Sequence, residues 1–161
     1  MYRDLTMKEI SEQQIGQTLQ VAGWVENIRD HGGVSFIDLR DMYGVLQVVI
    51  RKPELLKGIT KEMCLSITGL MEHRDEETYN PKIPSGTIEL EAHKIDVLGR
   101  VYKQLPFEIQ TSKEIREDVR LKYRYLDLRR RPLLNNLMMR SKIAKVARDY
   151  FHDNGFVEIE T

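Results

Sequence analysis

The stretch from Val21 to Ile50, VAGWVENIRDHGGVSFIDLRDMYGVLQVVI, most limits what this chain can become. It has room for three consecutive antiparallel strands and two tight turns, and for little else. The first strand, Val21 to Arg29, ends at His31-Gly32-Gly33. A Gly-Gly pair supplies the positive φ angles that a hairpin turn needs. The second strand, Val34 to Arg40, alternates Phe36, Asp38 and Arg40 against Ser35, Ile37 and Leu39. The third, Val45 to Ile50, follows the Met42-Tyr43-Gly44 turn and is apolar apart from Gln47.

This alternation sets Phe36 on the polar face, beside Asp38 and Arg40. An aromatic ring there is either a cross-strand packing partner or a stacking platform for a base. Gln47 interrupts an apolar strand, and Arg29 closes the first one. An aromatic, an amide and a guanidinium close together on a small sheet suit a reader of single-stranded nucleic acid. An ordinary half-solvated sheet accounts for the same three residues, and at this point both readings stand.

Downstream, Pro53 to Gly58 (PELLKG) reads as a short helix, with Pro at its start and Gly at its end. A fourth strand runs from about Met63 to Arg74. A polar loop with Pro81, Pro84 and Gly86 leads to a fifth strand, about Thr87 to Leu98. Three strands, a short helix and two more strands is the element order of an oligonucleotide-binding (OB) barrel. Upstream, Ser11 to Gln14 looks like a capped helical turn stopped by Gly16.

Gly99 to Lys113 lacks periodicity and reads as a linker. Ile115 to Leu128 has helical spacing at Val119, Tyr123 and Leu126, with Leu121 and Tyr125 one step off. Pro132 then suits the first position of a long helix, Leu133 to Asn154, ended by Gly155. Its apolar stripe is wide: Leu133, Leu137, Ala144, Ala147 and Phe151. Phe156 to Thr161 begins a strand. Such a helix and the start of a strand cannot make a core alone, so they read as the opening of a larger domain.

Formal charge is balanced, so net charge gives no argument for nucleic acid. Its distribution does: from Arg116 to Arg148 basic residues far outnumber acids, which suits a polyanion nearby or a set of solvated helix faces. Cys64 is the only cysteine, so no disulfide can form within the chain, and a reducing compartment fits. Its apolar surroundings suggest a small buried residue. His31, His73, His93 and His152 show no metal-ligand spacing. No window has signal-peptide or membrane-spanning character, which predicts a soluble intracellular protein with no membrane partner.

Three segments carry a resemblance. GWVENIRDHGGVSFIDLRD, RLKYRYLDLRRRP and the ending GFVEIET are similar to bacterial-type aspartyl-tRNA synthetases of class IIb, N-terminal part only. Lysyl enzymes share the RYLDL core but usually lose the Arg-Arg-Pro continuation, and asparaginyl enzymes diverge more in this region. The ending resembles the start of motif 1 of class II synthetases. The fold implied is mainly β: a five-stranded OB-fold anticodon-binding barrel over residues 1–105, a helical hinge over 106–132, and the first long helix of a class II α/β catalytic domain over 133–161.

The resemblance also implies roles. Phe36 would stack on the middle anticodon base, a uracil, and Gln47 would hydrogen-bond its edge. Arg29 would contact the anticodon backbone or a base. Glu89, with Arg74, would read the first base, a guanine. His31 and Glu77 sit where this family distinguishes tRNA(Asp) from tRNA(Asn). The parent enzyme would be a cytoplasmic homodimeric aspartate–tRNA ligase using ATP and Mg2+, with tRNA(Asp), and in some versions tRNA(Asn), as partner. No catalytic residue and no cofactor is expected in this chain, so by itself it should not activate aspartate. Two alternatives stay open: a fragment of an asparaginyl or lysyl enzyme, and a free-standing single-strand-binding barrel.

Overall fold

The computed structural model describes residues 1–160 and divides into two compact units, Met1–Lys103 and a second from Gln104 onward. Thr161, the last residue of the expected C-terminal strand, lies outside the described residues.

The first unit is a closed five-stranded barrel, with strands β1 (Thr18–His31), β2 (Val34–Arg40), β3 (Val45–Ile50), β4 (Cys64–His73) and β5 (Ile88–Gly99). Around the barrel the order is β1-β2-β3-β5-β4; only β3 and β5 run parallel. The β1–β2 turn is Gly32-Gly33, with φ of 61° and 112°, as the hairpin argument requires. A short 3-10 turn (Pro53–Leu56) lies between β3 and β4. The expected mainly β OB-type barrel is therefore the observed one.

β1 is longer than its apolar pattern suggests, because it serves two neighbours. Thr18 to Trp24 pair with β4, and Trp24 to His31 pair with β2, with a bulge between Val25 and Asn27. At the β4–β5 crossing Gly69 is required: a Cβ there would overlap the Glu91 carbonyl. Alternate residues of all five strands fill the core, including Val21, Val25, Ile37, Leu39, Leu46, Val48, Leu65, Ile67, Met71 and Leu90. Cys64, expected to be buried, is only half-buried at the start of β4.

Arg40 departs from expectation. The alternation of β2 puts it on the wet face, yet it is 5% exposed. Its guanidinium donates to both oxygens of Glu62, at 3.1 and 2.8 Å, and to Glu26 at 3.3 Å. Both acids are too far away in sequence for the alternation of β2 to reveal them.

The second unit also differs in detail. The presumed linker carries its own small core, in which Phe107 and Ile109 pack with Leu126. The expected helix from Ile115 to Leu128 is split into α1 (Glu117–Lys122) and α2 (Arg124–Asp127), because Tyr123 leaves helical geometry at φ −112°, ψ 41°. The apolar spacing still held: Val119 and Tyr123 pack on this core, while Leu121 and Tyr125 are exposed. Asp127 is buried; the Ser112 hydroxyl donates to it at 2.6 Å and Arg120 at 3.3 Å. Burial pushes its carboxyl up, but these bonds and Arg130 hold it below the usual range.

Helix α3 (Arg131–Asp153) opens with Pro132 and ends before Gly155, whose φ is 82°. Met139, Ile143, Val146, Tyr150 and Phe151 on it are exposed. Residues 156–160 form no strand, because strand propensity without a pairing partner makes no ladder.

Candidate nucleic-acid interface

Strands β1, β2, β3 and β5 present one continuous outer face. The register pairs Arg29 with Phe36, Phe36 with Val49, Asp38 with Gln47, and Gln47 with Glu89. Cross-strand partners share a face, so four of the expected site residues stand side by side outside the barrel core. Neighbouring positions Ile37, Val48 and Leu90 point inward and anchor the face.

Phe36 is half-buried, with Val49 beside it in the register, and its ring meets His31 edge-on at 5.8 Å between centroids, 73° between planes. His31 is exposed at the mouth of the Gly-Gly turn. The Phe36 ring is thus neither fully buried nor free in solvent, with His31 and Val49 as neighbours.

Beside it runs a chain of hydrogen bonds. Arg29 donates from Nη2 to Asp38 Oδ1 at 2.6 Å and to Gln47 Oε1 at 3.1 Å. Gln47 Nε2 then donates to Glu89 Oε2 at 2.7 Å. Arg74 Nε donates to the Ile88 carbonyl at 3.1 Å and stands 3.9 Å from Glu89 Oε2. Arg29, Gln47, Glu89 and Arg74, named from sequence, are therefore brought together. Asp38 joins them, a residue that the sequence shows only as a polar neighbour of Phe36. Its signal was the two-residue alternation with Phe36.

Burial shapes the electrostatics here. It pushes the Glu89 carboxyl above its usual range, against the opposing pull of the Gln47 amide and the Arg74 guanidinium. Burial likewise lowers the Arg74 guanidinium, opposed by Glu89 and Asp38. Arg74 is 5% exposed, and its Nη2 has no hydrogen-bond partner among the described residues. A buried donor without a partner is costly. The pair therefore joins a carboxylate able to take more donors to a guanidinium with a donor to spare.

Glu77 is not part of this cluster. It lies exposed in the 3-10 turn Glu76–Thr78 of the β4–β5 loop. Among the described residues no group of His, Cys, Asp and Glu side chains gathers as a metal site, and no helix is long and apolar enough to cross a membrane.

A half-buried aromatic ring beside a row of linked polar side chains on an OB barrel suits unpaired bases. Comparison with known proteins agrees. Residues 19–98 match the model of the OB-fold nucleic acid binding domain, and residues 116–161 match that of class II tRNA synthetases (D, K and N). An aspartate–tRNA(Asp/Asn) ligase of Pseudarthrobacter chlorophenolicus is 45% identical over 161 residues, covering 100% of this chain. That of Elusimicrobium minutum is 45% identical over 157 residues, covering 95%. The chain spans 27% of the length of either relative. Among solved structures, an aspartyl tRNA synthetase from Entamoeba histolytica superposes with a TM-score of 0.82 at 22% identity, over 96% of this chain and 38% of that one. An asparaginyl-tRNA synthetase from Pyrococcus horikoshii gives 0.82 at 21% identity, over 99% and 38%. At that identity the likeness speaks for the fold alone.

Proposed function

Since the chain belongs to the aspartate–tRNA ligase family, matching its N-terminal part, we propose that its barrel binds the anticodon loop of tRNA(Asp). The observation that carries this reading is the row formed by the Phe36 ring and the linked Arg29, Gln47 and Glu89 side chains on one face. Phe36 stacks on the middle uracil, Gln47 meets its edge, and Arg29 contacts the neighbouring base or backbone. Glu89 accepts from the N1 and N2 donors of the first base, guanine, with Arg74 beside it, 3.9 Å from its Oε2.

The relatives are named for both tRNA(Asp) and tRNA(Asn), which supports a barrel that accepts both. The position of His31 against the stacking ring supports its part in that choice; Glu77 is the second candidate, from the loop above. The remaining assignments also rest on the family. Residues 1–105 are the anticodon-binding domain, 106–132 a hinge, and 133–161 the start of a catalytic domain. The parent ligase is a cytoplasmic homodimer that activates aspartate with ATP and Mg2+. No step of that chemistry is assigned to the described residues. Aspartate-dependent exchange of pyrophosphate into ATP by the 161-residue chain alone would contradict this division of labour.

The direct test is binding of this chain to an anticodon stem-loop reading GUC, compared with one reading GCC. Middle uracil is expected to be preferred, and Phe36→Ala is expected to weaken binding by about 2 kcal/mol, as loss of a base stack does. Equal binding of both loops, governed only by salt, would leave a general single-strand-binding barrel as the better reading.

A further inference from the structure

We propose that Asp38 is a positioning residue that locks the Gln47 amide in one orientation and so sets the site's preference for uracil over cytosine. This rests on the anticodon reading above. Within it, Asp38 is a residue to which neither the family resemblance nor the relatives' names give a part.

A guanidinium only donates, and an ionised carboxylate only accepts. Gln47 lies between one of each: its Oε1 faces Arg29 Nη2 at 3.1 Å, and its Nε2 faces Glu89 Oε2 at 2.7 Å. A flipped amide would set N–H against guanidinium and oxygen against carboxylate. The two neighbours therefore admit one orientation. Each has used one valence of the amide. One lone pair of Oε1 and one N–H of Nε2 remain.

Those remaining valences discriminate. Uracil offers an N3–H donor beside a carbonyl acceptor, which matches Oε1 and Nε2 in turn. Cytosine offers an N3 acceptor beside an amino donor, the reverse order. In the same pose it meets acceptor with acceptor and donor with donor. A free amide would flip to suit cytosine; a locked one cannot.

Glu89 holds the Nε2 end of the amide by itself; the hold on its Oε1 end depends on Asp38. The Arg29 side chain is long and 46% exposed, so nothing in its own burial fixes it over Gln47. Its 2.6 Å bond to Asp38 does. Asp38 is itself 20% exposed and held by Asn27, whose Nδ2 donates to Oδ2 at 3.3 Å. Without Asp38, Arg29 is free to extend into water, and Gln47 keeps only its Glu89 contact.

The experiment measures the ratio of affinities for GUC and GCC stem-loops with the full chain, Asp38→Ala and Asp38→Asn. In Asp38→Ala the uracil preference is expected to fall about tenfold, the worth of one oriented hydrogen bond. Asp38→Asn should fall less, because its amide oxygen still accepts from Arg29. In the unaltered chain without RNA, NMR relaxation of the Gln47 side-chain amide should report an ordered amide, with a lower order parameter in Asp38→Ala. A preference that survives both substitutions, or equal weakening of both loops, overturns the proposal and leaves the anticodon reading standing. No preference in the unaltered chain removes that reading and this proposal with it. If Asp38→Ala does not fold, Asp38→Asn carries the ratio, and a mobile Gln47 amide in the unaltered chain overturns the lock by itself.

Discussion

Arg40→Met is expected to lower the unfolding free energy by about 3–5 kcal/mol, the cost of leaving a buried ionic group without its partner. Arg40, Glu62 and Glu26 are 6%, 11% and 19% exposed in their side chains, so water replaces little of what is lost. The contact to Glu62 is bidentate, the strong form of such a pair. Glu62 also carries the only positive φ of a non-glycine residue among the described residues, 65°. That backbone strain, of order 1 kcal/mol, is held by its surroundings. Its amide donates to the Val25 carbonyl at 2.7 Å, and Val25 in turn donates to Met63 at 3.0 Å. The triad thus pins the segment before β4 onto β1, where the barrel closes. Chemical denaturation measures the loss. A double-mutant cycle with Glu62→Gln should show strong coupling, with Glu62→Gln costing far less once Arg40 is gone. Additive effects would mean that the two side chains do not support each other.

Arg40 also marks where sequence reading reaches its limit. The alternation of β2 was correct, and its inward residues Ile37 and Leu39 are fully buried. Whether the outer end of that strand is wet depends on the segment before β4, which approaches from 22 residues away. Local periodicity carries no record of such partners. The same holds for β1, whose ends are fixed by two neighbouring strands. Phe156 to Glu160 shows the converse: local propensity reads as strand, but a ladder needs a second strand, and none lies beside it among the described residues.

The site was legible to different degrees for different reasons. Phe36 and Gln47 stood out as exceptions to the pattern of their strands. Arg29 belonged to the same stretch. Arg74 and Glu89 came from the family resemblance, since nothing local distinguishes them from exposed strand residues that merely pair. Their burial appears only once β5 lies against β3 and β4. Asp38 was in plain sight, but an acidic residue on a wet face is usually solvated. Its geometry, not its type, gives it a part.

Glu89→Gln is expected to fold at least as stably as the unaltered chain while losing about 3 kcal/mol of preference for guanine, the worth of two moderate hydrogen bonds to a charged group. The sign follows from the raised pKa of Glu89. A carboxyl raised on folding favours the folded state while protonated, below the usual carboxylate range. That contribution is lost as pH rises through the raised value. Near neutral pH the ionised Glu89 is therefore a net cost to folding. Arg74 opposes that cost, but the shift remains upward with Arg74 in place, so a neutral isostere relieves more than it removes. Binding runs the other way. Guanine presents N1–H and N2–H donors, which need a carboxylate; an amide can accept only part of that pattern. Acidification should thus weaken the guanine preference of the unaltered chain at a higher pH than an exposed glutamate would allow, and leave Glu89→Gln flat. Thermal melts and the affinity ratio of GUC to AUC stem-loops, followed from neutral pH downward, test both halves. A variant that melts well below the unaltered chain would show that Glu89 is held for the fold. A variant that keeps its guanine preference would show that another group reads the first base.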